Sequence, residues 1–160
     1  MRKDLIHVEE MFKTNTGLVK RATEGVLNEH WFLKPGDASN HLMWVAGHLI
    51  VSRAGVLRLL GTDWAAPWSS LFGRGAKLTT PDQYPAVEEI RSAWDDVSGQ
   101  LLASLTTAPP DVLAKTAPER TPSFDGNVSG TIAFLAFHET YHVGQVSYLR
   151  KWLGYGQVVG

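Results

Sequence analysis

Leu135-Ala136-Phe137-His138-Glu139-Thr140-Tyr141-His142-Val143-Gly144-Gln145-Val146-Ser147-Tyr148-Leu149 is the stretch on which the reading of this chain turns. Leu135, His138, His142, Val146 and Leu149 follow one another at three- and four-residue steps. That spacing puts side chains on one face of an α-helix. Two histidines on adjacent turns of an apolar face each need a polar partner in a dry core. One metal ion satisfies both, because imidazoles at i and i+4 can reach a common ion at about 2.0–2.1 Å. The alternative is a pair of core histidines held by hydrogen bonds.

Working outward, the helix that carries the pair is expected from about Ser129 to Leu153, with Gly154 at its C-terminus. Three more segments share its periodicity. The first is expected from Asp4, as cap, to His30, closed off by Lys34-Pro35-Gly36. The second runs from Ser39, as N-cap, to Gly61. The third opens at Thr80-Pro81, with Thr80 capping and Pro81 in the first helical position, and runs to about Leu105 before Pro109 and Pro110 forbid continuation. No run alternates apolar and polar residues convincingly. The expected fold is all-α, a single-domain four-helix bundle over residues 1–160. Its first connection reads as short. The second (Gly61 to Thr79) and third (Thr106 to Val128) are about twenty residues each, as long crossover connections require.

Bulk properties narrow the function. Hydrophobic residues make up 44% and charged residues 19% of the 160, as in ordinary globular chains. The net charge of -1 is spread along the chain, so the basic footprint of a nucleic-acid binder is missing. There is no cysteine, which excludes disulfides, thiolate metal sites and a cysteine nucleophile. Charges interrupt the N-terminal MRKDLIHVEEMFK, so no signal-peptide apolar core is expected there, and no run reaches membrane-span length. A soluble, cytoplasmic protein with no membrane partner is expected.

The best third ligand from another helix is His48, next to the stripe through Val45, Leu49 and Ser52. His41, nearer the helix start, reads as partly exposed and as a residue that could orient a group at the mouth of the site. His7 and His30 read as surface residues. The His-Glu-x-x-His pattern also fits a zincin protease. However, no His, Asp or Glu follows His142, and Gln145 and Tyr148 stand where the longer metzincin pattern needs Gly and His. A protease reading is disfavoured.

Two stretches then carry a resemblance: Asn40-His41-Leu42-Met43-Trp44-Val45-Ala46-Gly47-His48-Leu49 and Phe137 to Val146, with Leu149-Arg150-Lys151-Trp152-Leu153-Gly154 behind them. In these the chain resembles the DinB-like (DinB/YfiT) superfamily of small metal-binding bundles. The resemblance implies a four-helix bundle with a long crossover and one divalent metal on His48, His138 and His142. It also implies a homodimer, and activities like those of bacillithiol transferases and mycothiol-dependent isomerases.

Three neutral imidazoles leave a zinc, nickel or iron ion with open positions, as a catalytic site needs. With no cysteine in the chain, a thiol would have to come from a low-molecular-weight cosubstrate; hydrolysis is equally accessible. Glu139 is the nearest candidate acid or base, and a salt-bridged Glu is the plainer alternative. Gln145, one turn beyond His142, could hydrogen-bond a ligand ring. Trp44 should pack near the site, Tyr141 should pack at its side, and Arg150 should pair with a carboxylate across the bundle. The aromatic loop Asp63 to Phe72 reads as a lid, a dimer contact or simple packing. The expected function is a metal-dependent enzyme of thiol-transferase or hydrolase type acting on a small molecule. The alternative is a non-catalytic metal-binding or stress-related protein.

Overall fold

The computed structural model describes residues 5–159. Helix α1 spans Ile6–Thr23, α2 Leu42–Leu59, α3 Val87–Thr107, α4 the single turn Pro110–Leu113, and α5 Val128–Trp152. Short 3-10 turns occupy Asn28–Phe32, Ser69–Phe72 and Pro81–Gln83. No strand occurs among the described residues; a lone bridge joins Thr116 to Asn127. The four long helices pack as a ring in which α1 and α2 each lie against α3 and α5. The chain therefore crosses the bundle between α1 and α2 and again between α3 and α5, whereas α2 and α3 are neighbours.

Most departures from the expected boundaries have local causes. The first helix stops at Thr23, not His30, because Gly25 turns the chain at φ +70°, a conformation glycine adopts without strain. Apolar periodicity outlasts the helix because Val26 and Trp31 are buried from the following turn. The first connection, 24–41, is consequently long rather than short. The expected cap Asp4 lies outside the described residues. Helix α2 is capped by His41, not Ser39: its Nδ1 accepts from the Trp44 amide at 3.1 Å. Thr80-Pro81 opens only a 3-10 turn. Pro85 holds Tyr84 extended at ψ 156°, so α3 begins at Val87. The expected span of α5 holds to within one residue at each end, and Gly154 follows it at φ +88°.

Helix α2 is the central element. All residues from His41 to Ile50 are buried. By length and composition α2 could cross a membrane (mean hydropathy 1.3), but 72% of it is buried inside the bundle. Its apolar surface is thus already used in packing. On α5 the fully buried line runs through Ile132, Ala136, Glu139, Val143 and Val146. His138 and His142 flank that line half-buried, rather than sitting at its centre as the periodicity suggested.

Candidate metal centre

Helices α2 and α5 bring His48, His138 and His142 together, with one ligand atom of each lying within 4.8 Å of the others. His142 Nε2 is 3.0 Å and His48 Nε2 3.5 Å from His138 Nε2. Two of the rings are held from behind. His48 Nδ1 donates to the Phe72 carbonyl at 2.8 Å, and His142 Nδ1 donates to Gln145 Oε1 at 2.7 Å. Those bonds fix both tautomers and leave both Nε2 atoms as bare lone pairs facing His138. A proton on His138 Nε2 can serve only one of them. The donor set therefore fits a cation better than it fits itself, since an ion would take all three lone pairs at once. His138 Nδ1 and Trp44 Nε1 are each buried with no hydrogen-bond partner among the described residues.

Electrostatics point the same way. Burial lowers the pKa of all three imidazoles from the ordinary 6.5. For His138 it falls to about 4: desolvation contributes most, and His142, His48 and Arg74 add to it. Neutral imidazole, the form that ligates a metal, is the form the fold maintains.

The surroundings sort the remaining candidates. Trp44 stacks on His48 with centroids 4.8 Å apart and planes at 9°. Tyr141 sets its ring edgewise to His142 at 5.2 Å, but is largely exposed. His41 is 4% exposed, not open, and packs against Phe32 and Tyr84; it belongs to the helix cap and not to the three-histidine cluster. His7 is exposed, and His30 is half-buried against Tyr155.

Glu139 is not brought to the histidines. It is 1% exposed, and its two oxygens accept from Arg53 Nε and Nη2 at 2.8 Å each. Arg53 also donates to the Phe12 carbonyl, to Thr16 Oγ1 and to Ser98 Oγ, and lies 3.9 Å over the Trp94 ring. This network ties α1, α2, α3 and α5 together at one point. Arg150 donates to the carbonyls of Ala22 and Glu24, where a carboxylate was expected.

The aromatic loop packs rather than floats. Trp64 Nε1 donates to Asp96 and Trp68 Nε1 to Glu89, both on α3. The Phe72 ring is buried against Gly47, at a place where any Cβ on residue 47 would clash with it. The sequence reading missed this role of Phe72; its signal is the glycine beside His48 inside an otherwise bulky helix.

A cavity of about 390 Å³ lies beside the centre, walled by Tyr141 and Gln145, both of which touch His142, together with Ser39, Asn40 and Val45. Another, of about 310 Å³, lies between α1 and α3 and touches none of the three histidines. Residues 11–146 match a protein-family model described as the DinB superfamily, a span that contains all three histidines. A search of curated proteins gives no match.

Proposed function

The chain belongs to the DinB superfamily, and from that membership and its converging imidazoles we propose a metal-dependent enzyme of the thiol-transferase or hydrolase type. One zinc, nickel or iron ion would sit on His48, His138 and His142. The observation that carries the reading is the pair of anchored Nδ1 protons, which aim two Nε2 lone pairs at a third imidazole nitrogen. Three protein ligands suit a catalytic site, since structural sites are closed by four. An ion held this way lowers the pKa of a coordinated water or thiol toward neutrality.

The chain's own residues supply position and shelter. Phe72 and Gln145 orient two ligands, and Trp44 covers one face of His48. The neighbouring cavity of about 390 Å³ suits a small molecule and is too small for a folded partner. With no cysteine present, a thiol nucleophile has to arrive as a cosubstrate. We place the protein in the cytoplasm, where small thiols stay reduced, with no nucleic-acid partner.

The test is metal content by elemental mass spectrometry on untagged protein, with His48→Ala and His138→Ala alongside. About one ion per chain, lost in both variants, is the expected result. Loaded wild type would then be screened for transfer of small thiols and for hydrolysis. Protein that is isolated metal-free and fails to take up zinc, nickel or iron would overturn the reading.

A further inference from the structure

The seam between α1 and α3 is the loosest of the four in the ring. It holds the cavity of about 310 Å³ that touches none of the three histidines. A small residue lets this space reach the central helix. Beside Gly47 the Phe72 ring fills the place a side chain would take. Ala46, the preceding residue of α2, lines the cavity instead. Val19, Ile90, Trp94 and Trp31, all buried, complete an apolar wall; Trp31 comes from the 3-10 turn Asn28–Phe32. The volume lies at the small end of ligand-binding cavities and suits a compact organic molecule.

The rim decides which kind. It carries three cations, Lys20, Arg21 and Arg91, against two carboxylates, Glu24 and Asp95. Lys20 and Asp95 neutralise each other at 2.8 Å, tying α1 to α3 at the surface. Arg91 is not neutralised. Glu88, one turn earlier on α3, accepts from Asn28 at 2.9 Å, and no ion pair forms with Arg91 among the described residues. The Arg91 guanidinium is nevertheless held in place. It lies 5.1 Å from the centroid of the Trp31 ring, and its Nη2 donates to the Thr23 carbonyl at 2.7 Å. Nη1 makes only a long bond of 3.4 Å to Thr23 Oγ1. Most of its N–H donors therefore stay open, in the fixed fork that takes a carboxylate by two parallel bonds. The wall has an open donor as well: Trp31 Nε1 is buried with no hydrogen-bond partner among the described residues. Buried donors are nearly always satisfied, by the chain or by something bound to it.

We propose that the cavity between α1 and α3 is a second binding site, separate from the metal centre, for a small molecule with a compact apolar body and a carboxylate that Arg91 holds at the rim. Apolar wall and unpaired cation lie side by side, so the ligand has to be amphipathic: a neutral apolar molecule leaves Arg91 unused, and a small inorganic anion leaves the wall bare.

Naphthoate is a probe of that shape, and naphthamide is its neutral counterpart. Calorimetric titration of the full chain should give about one naphthoate site, with the amide bound about 10–100-fold more weakly. Arg91→Met should lower the acid to the level of the amide. Ala46→Leu fills the cavity from α2 and should abolish binding of both, while the melting temperature holds or rises. It keeps the site testable if Arg91→Met folds poorly, since Arg91 also ties α3 to the end of α1. In isotope-labelled protein the indole N–H signals of Trp31 and Trp94 should move with naphthoate, and that of Trp44, which stacks on His48, should not. His138→Ala should bind the probe as wild type does, so failure of the metal centre and failure of this site are separate results. No heat and no indole shift up to the solubility of naphthoate overturns the proposal. So does binding that survives Ala46→Leu, or that fails to distinguish acid from amide. Binding that is lost in His138→Ala and moves only the Trp44 signal overturns it too, and places the probe at the metal centre.

Discussion

Gly47 and Phe72 compete for one volume: the Phe72 ring fills the place where a Cβ on residue 47 would stand. That seating brings the Phe72 carbonyl to His48 Nδ1 at 2.8 Å, so a glycine on α2 sets the tautomer of the next residue. Gly47→Ala should displace a fully buried ring, at a cost of about 1–3 kcal/mol. With the carbonyl displaced, metal affinity should fall by about 10–100-fold. Gly55→Ala on the same helix meets open space and should be neutral or slightly stabilising. Urea denaturation and chelator competition with cobalt measure both effects. Equal affinity in wild type and Gly47→Ala would show that Phe72 does not set His48.

Gln145 does the same for His142 from within α5, accepting its Nδ1 proton at 2.7 Å. Gln145→Leu keeps the helix but removes the acceptor, so the ring can turn or change tautomer. Cobalt should still bind at one ion per chain, about 10–100-fold more weakly. His142→Ala, which removes a ligand, should abolish binding in the same titration. If Gln145→Leu binds as wild type does, His142 is held by its packing against Tyr141 and His48 instead.

What could be read from residues alone follows the range of the forces involved. The three histidines and their helices were legible because i, i+4 spacing is local and helical periodicity survives in any long amphipathic segment. The ends of helices were less legible. At the start of α2 an imidazole takes the capping role expected of Ser39, and apolar residues continue past the end of α1 and the turn at Gly25. Least legible was the direction of Glu139. Its place in the stripe depends on a cation 86 residues away in sequence, since a carboxylate can enter a core only with a partner such as Arg53. The periodic pattern assumed the histidines were the buried polar residues, and the buried ion pair took the centre from them.

Glu139 should accordingly behave as a structural residue. Glu139→Gln leaves the fully buried Arg53 guanidinium without its counter-charge, so stability should drop by about 3–5 kcal/mol. Replacing both together, Arg53→Met with Glu139→Leu, removes the buried charge and should cost far less. The folded double variant should load cobalt at the wild-type stoichiometry. Denaturant melts of Glu139→Gln, of Arg53→Met and Glu139→Leu singly, and of the double variant test the coupling. A double variant that is as unstable as Glu139→Gln would show that the ion pair itself, and not its imbalance, holds the helices.

The last prediction concerns acid. Burial holds His48, His138 and His142 below the ordinary imidazole pKa of 6.5, with His138 at about 4. In the unfolded chain each returns to about 6.5, so as pH falls the unfolded state takes up protons first. The stability that rests on neutral imidazoles is therefore complete above about pH 6.5 and is lost progressively toward about pH 4. Chelator-treated protein should show a melting temperature that is flat above about pH 7 and declines through the acid range, less steeply in His138→Gln. Protons and an ion compete for the same Nε2 lone pairs, so loaded protein should release metal over the same window. Circular dichroism melts and cobalt absorbance, each followed from about pH 8 to about pH 4, read the two curves. A melting temperature unchanged down to about pH 4 would mean that the imidazoles protonate in the fold as easily as in water, which their burial does not allow.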